Sequence, residues 1–139
     1  MLESKYFKSS KVEKRAQYLN PFAYTLMEVM IDWLRQKGIE PIVTDTVSTV
    51  KEDFTLGRKS QTHREGRAFD IRTIGWGNGM IKDFQSVFNK LYGKHGAISK
   101  LSGEPHLILH HDTGSGPHMH VQLSKKYVVK LPLDLDQVV

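Results

Sequence analysis

Apolar residues along the chain fall into two helical stripes separated by runs that alternate or branch like strands. Asn20 followed by Pro21 predicts a helix start, because the Asn side chain accepts from free N–H groups and Pro suits the first helical position. From there to about Lys37, Leu26, Val29, Met30, Trp33 and Leu34 recur at spacings of three and four, and Gly38 follows where a left-handed residue ends a helix. That stripe, Trp33 included, reads as a core face. The β-branched run Ile39–Val50 predicts a strand with Pro41 near its beginning, and residues 51–62 lose periodicity and read as a loop. Gly66–Ile74 predicts a second strand, broken by the glycines of GWGNG. Met80, Phe84, Val87, Phe88 and Leu91 make the second helical stripe, with Asn78 as its expected cap and Gly93 at its end.

Beyond it, HLILHHD from His106 predicts a third strand, DTGSGP from Asp112 a tight turn, and HMHVQLS from His118 a fourth strand antiparallel to the third. The order helix, strand, strand, helix, strand, strand predicts an α+β fold, a small, mainly antiparallel sheet with helices packed against it. Residues 1–19 are basic and polar with scattered aromatics (Tyr6, Phe7, Tyr18), and predict a loosely ordered arm or a short helix packed on the domain. The tail KLPLDLDQVV is too short to be a domain. The 139 residues therefore read as a single domain, 1–139.

Composition narrows the chemistry. Hydrophobic content of 39% with 25% charged residues sets wholesale disorder aside. The net charge of +5 favours an anionic partner and leaves nucleic acid, anionic membrane and bacterial wall polymer open. Cysteine is absent, which excludes disulfide frameworks, thiolate zinc fingers, iron–sulfur clusters and Cys nucleophiles, so any metal must sit on His, Asp or Glu. The first twenty residues carry charges throughout and contain no apolar core of a signal peptide, and no segment approaches the roughly 20 apolar residues of a membrane span. The expectation is synthesis in a cytoplasm without a signal peptide, with work outside the cell requiring release by something else.

An H-x-H pair arises by chance often enough in a chain with seven His that His118 and His120 alone are weak evidence of a metal site. On a strand, His118, His120 and Gln122 share one face while Met119, Val121 and Leu123 share the other, which a half-buried strand with a wet polar face also explains. SQTHREGRAFDI, Ser60–Ile71, adds weight by placing His63 in a loop and Asp70 in the strand after it. Imidazole and carboxylate are the ligands open to a zinc site without cysteine, and His63, Asp70 and one of the H-x-H histidines would supply three. Three ligands leave a fourth position for water, the pattern of a catalytic rather than a structural zinc. His110 and His111 adjoin on a strand, so at most one reaches such a site. His95, beside a helix-ending glycine, reads equally well as a favourable charge at a helix C-terminus.

These residues resemble a known family. Ser60, His63, Gly66, Ala68 and Asp70 match the S-x-x-H-x-x-G-x-A-x-D pattern of D-Ala-D-Ala carboxypeptidase-type zinc peptidases, and PHMHVQ matches the H-x-H of their second metal motif. The group includes murein endopeptidases, many phage endolysins and the zinc domain of hedgehog proteins, and the motif-bearing span is Ser60 to Gln122. The resemblance implies a hedgehog/DD-peptidase-like fold, His63, Asp70 and His120 as ligands of Zn2+, and His118 as a catalytic neighbour that does not bind metal. Arg67 receives no role. Many relatives carry an Arg in an S-x-Y-R-S-like stretch before the first motif, where Thr44–Thr49 has none, and Arg58 is the candidate to take its place. Glu104 and Asp112 are the local candidates for an additional general base, with no choice between them.

The function this implies is zinc-dependent hydrolysis of a peptide bond in peptidoglycan stem peptides or cross-links. The enzyme would be an endopeptidase or carboxypeptidase, a bacteriophage endolysin or a wall-degrading virion component. A peptidoglycan peptide is the expected substrate, without nucleic acid, membrane insertion or an implied protein partner. Rival readings are a non-catalytic zinc-containing binding module on the same fold and, on charge alone, a basic nucleic-acid-binding domain.

Overall fold

The computed structural model describes residues 1–131; the tail from 132 to 139 lies outside the described residues. Helices α1 (Ser10–Ala16), α2 (Pro21–Gln36), α3 (Val50–Thr55) and α4 (Asn78–Tyr92) accompany a sheet of strands β1 (Val43–Asp45), β2 (Ala68–Arg72), β5 (Ile108–Asp112) and β6 (Pro117–Gln122). The sheet order is β1-β2-β6-β5, every neighbouring pair antiparallel, and a separate hairpin joins β3 (Ala97–Ile98) to β4 (Pro105–His106). This is the expected α+β architecture. Among the described residues no helix is long and apolar enough to cross a membrane.

Helix α2 starts as its sequence dictates, with the Asn20 carboxamide oxygen accepting from the Phe22 N–H and Pro21 in the first turn. It ends at Gly38, whose φ of +78° is the left-handed conformation that glycine adopts freely. Its buried face is Ala23, Leu26, Met27, Met30, Ile31 and Leu34, rotated slightly from the predicted stripe, so that Val29 is exposed and Trp33 sits at the margin. Trp33 meets Phe84 and Phe88 of α4 edge-on, with centroids 5.9 and 5.7 Å apart, and thereby seals the seam between the two helices. In α4 only Phe84 and Phe88 are fully buried, Leu91 is exposed, and the cap position belongs to Gly77, with Asn78 the first helical residue. Phe69 and Ile71 of β2, with Met119 and Val121 of β6, complete this core from alternate strand positions.

Of the two forms expected for the N-terminal segment, the short helix packed on the domain is the one present: α1 is capped by Ser9, Phe7 bridges Val43 alongside β1, and Tyr6, Phe7, Val12 and Ala16 are buried in the core. Three expectations need correction. The strand predicted over Ile39–Val50 shrinks to Val43–Asp45, because Thr46 turns away to donate its hydroxyl to the Val12 carbonyl. The stretch read as a loop from residue 51 begins with α3, whose start is a capping box: Thr49 Oγ1 accepts from the Glu52 N–H, and the Glu52 carboxylate accepts from the Thr49 N–H. The third predicted strand is divided at the buried Leu107, its first part pairing with β3 and its second with β6.

Candidate metal centre

Register decides what the polar face of the sheet carries. Asp70 of β2 lies opposite His120 of β6, and Arg72 opposite His118, so alternation places all four on the face turned away from the apolar core. His63 reaches this face from a loop tied down at several points. Its carbonyl accepts from the Gly66 N–H at 3.1 Å, and the Arg67 N–H donates to the Thr62 carbonyl at 3.1 Å. Gly66 turns the chain with φ +68°, and a Cβ there would stand 3.0 Å from the Tyr18 carbonyl oxygen. Glycine in the H-x-x-G spacing is thus required by both conformation and close approach.

The three predicted ligands are brought together and buried, their ligand atoms all within 4.8 Å of one another. Asp70 Oδ1 is 2.8 Å from His120 Nδ1 and 3.2 Å from His63 Nε2. Two ligands on a tetrahedral metal with bonds of about 2.0 Å stand roughly 3.3 Å apart, so small adjustments would seat an ion among these atoms. The opposite ring edges are already committed. His63 Nδ1–H donates to the Thr46 carbonyl at 2.6 Å, while His120 Nε2 is 3.1 Å from Gln122 Oε1 and 3.4 Å from Thr62 Oγ1. Such outer partners fix ring orientation and leave one nitrogen of each imidazole for a metal. Nothing in the sequence marks Thr46 or Thr62, since a backbone carbonyl carries no signal and Thr62 is one hydroxyl among many.

Without a metal the cluster holds itself together by charge. Burial would push the His63 imidazole down, but Asp70, aided by Asp45, outweighs burial and raises His63 to about 9. Burial would likewise raise Asp70, yet His63 and His120 hold its carboxyl far below the usual carboxylate range. The proton on His63 occupies the place of a cation, which a divalent metal would take over.

His118 stands beside the cluster without joining it. Its Nδ1–H donates to the Gly116 carbonyl at 3.1 Å, and its Nε2 faces Asp70 Oδ2 at 3.7 Å, beyond hydrogen-bond length. Of the adjoining pair, His111 is on the site face, its ring 4.6 Å from that of His118, whereas His110 points to the other side and bonds Thr73 Oγ1 at 2.8 Å. Burial, with His118 and His120 nearby, lowers the His111 imidazole and favours its neutral form.

A cleft of about 750 Å3 opens onto the cluster from the side of Asp70 and His118, between the sheet face and the walls formed by α1 and α3. Neither carboxylate suggested as a base lines it. Asp112 accepts from the Gly114 and Gly116 N–H groups of its own turn, and Glu104 is exposed at the end of the β3–β4 hairpin. Arg58 does line the cleft, but its guanidinium is paired with Asp45 and, at 3.3 Å, Asp53. Arg67 is a structural clamp, donating to the Leu123 carbonyl at 2.6 Å and to Glu65. Desolvation and the nearby Lys94 and Lys126 lower the His95 imidazole, and its Nδ1 is 2.7 Å from the Tyr127 hydroxyl. No family model matches the chain, and neither the curated proteins nor the solved structures contain a match.

Proposed function

We propose that this chain is a zinc-dependent peptidase that hydrolyses a peptide bond in peptidoglycan stem peptides or cross-links. The observation that carries the reading is the buried His63, Asp70 and His120 group at the end of a cleft, one carboxylate and two imidazoles with their far edges held. His63 Nε2, Asp70 Oδ1 and His120 Nδ1 would hold the ion. Zinc bound there supplies Lewis-acid polarisation of a carbonyl oxygen and a water of lowered pKa.

The remaining steps belong to side chains. His118, oriented through Gly116, aims Nε2 toward the space beside Asp70 Oδ2, where it can donate to a developing oxyanion or deliver a proton to the leaving amine. His111 packs edge-on against that ring, with centroids 4.6 Å apart. The substrate class comes from the resemblance of Ser60–Asp70 and Pro117–Gln122 to D-Ala-D-Ala carboxypeptidase-type zinc peptidases, and the basic surface suits a wall rich in carboxylates. In this reading the protein acts on the cell wall after release, or as part of a virion.

The test is digestion of purified peptidoglycan by zinc-loaded protein. New amino groups without new reducing ends, abolished by chelator and restored by zinc, are the expected products. Reducing ends without amines, or neither product across several wall chemotypes, would overturn the proposal.

A further inference from the structure

Several cations line the cleft, and three of them, Lys11, Arg15 and Arg58, are already engaged. Lys11 and Arg15 both meet Glu52. Burial opposes ionisation of that carboxyl, but Lys11, the Thr49 N–H and Arg15 outweigh burial and hold it at about 2. Arg58 is taken by Asp45 and Asp53. Arg72 differs. It is half-buried in the same cleft, and among the described residues its guanidinium has neither an acidic partner nor a hydrogen-bond acceptor. A partly desolvated cation with no partner is poorly placed unless an anion joins it.

Its position says which anion. Arg72 follows Asp70 by two residues on the same face of β2, about 7 Å along the strand, and sits directly across from His118. Two residues of extended peptide span about the same distance. We propose that Arg72 anchors a substrate carboxylate lying one to two residues from the scissile carbonyl, an inference that rests on the peptidase reading above. The planar fork of a guanidinium takes both oxygens of a carboxylate at once, which fixes direction as well as charge. Lys8 and Lys51 also lack acidic partners among the described residues, but they are exposed, stay hydrated and lie on the N-terminal segment and α3 rather than on the sheet face. The substrate is therefore an acidic peptide, and the same peptide with its carboxylates converted to carboxamides is a poor one.

The experiment uses the full chain loaded with zinc and synthetic cross-linked stem peptides made either with free carboxylates or as carboxamides. Binding is read by calorimetry, cleavage by amine release, and zinc per chain by elemental analysis. For the unaltered protein, amidation should weaken binding and raise KM about tenfold or more. Arg72→Ala should bind both peptides equally and keep its zinc, and Arg72→Lys should recover part of the preference. A protein that cleaves but ignores amidation, or an Arg72→Ala variant that still discriminates or loses zinc, overturns the anchor and leaves the peptidase standing. Carboxylate-selective binding that needs Arg72 but brings no cleavage in any substrate supports the anchor and sinks the peptidase.

Discussion

Replacing Asp70 with Asn should reverse the sign of the perturbation on His63. In the metal-free protein the Asp70 carboxylate lifts His63 to about 9 against burial, which acts in the opposite direction. Raising His63 from the ordinary imidazole value of 6.5 to about 9, at about 1.4 kcal/mol for each tenfold in protonation, amounts to about 3–4 kcal/mol of net stabilisation of the charged form. Asn keeps the shape and removes the charge. Burial then prevails, and His63 should titrate at or below about 6.5. Imidazole resonances followed by NMR from pH 5 to 10, with His63 assigned by its loss in His63→Gln, give both values. Stability follows the same sign. A raised folded pKa contributes fully below about 6.5 and is lost as pH rises through about 9, so metal-free protein should lose up to about 3–4 kcal/mol in urea unfolding across that window, and Asp70→Asn should not. Zinc must displace the same proton, so apparent affinity should rise about tenfold per pH unit toward 9, leaving it about 100-fold below its limit at pH 7. A His63 that titrates near 6.5 in the unaltered metal-free protein, or stays near 9 in Asp70→Asn, would refute this account of the cluster.

Other substitutions separate the roles of neighbouring residues. His120→Ala should lower zinc content and turnover together, whereas His118→Ala should keep zinc and slow hydrolysis by about 100-fold or more; equal zinc loss from both would show the roles wrongly divided. Gly66→Ala forces a left-handed alanine against the Tyr18 carbonyl and should cost about 1–2 kcal/mol in urea unfolding, with weaker zinc binding because the His63 loop is displaced; an unchanged midpoint would contradict the turn. Thr49→Ala removes one half of the α3 capping box and should cost about 1 kcal/mol, measured in the same way; no change would mean that the box contributes nothing beyond what solvent supplies.

Local chemistry is readable in the sequence. Asn20 and Pro21 start α2 because a side-chain acceptor and a fixed φ act within a few residues. The alternation of β6 puts His118 and His120 on one face whatever the strand pairs with. The His63 and Asp70 spacing, joined to the H-x-H, suggests three ligands in a chain without cysteine and leaves the third open between His118 and His120; the family resemblance implies His120. Thr49 and Glu52 stand at capping-box spacing, but the β-branched run before them favours a longer strand and masks the start of α3.

What only the tertiary structure decided is which of these local features meet. Register between β2 and β6 sets Asp70 against His120 and Arg72 against His118, and register depends on partners about 50 residues apart. Pairing of β5 with β6 chose His111 over its neighbour for the site face. The arginines show the limit most plainly. Arg58, Arg67 and Arg72 are chemically identical along the chain, yet Asp45 and Asp53 neutralise the first, Leu123 and Glu65 hold the second, and the third faces the cleft without a partner among the described residues. A charge acquires its role from the groups within a few ångströms of it, and those groups come from distant parts of the chain.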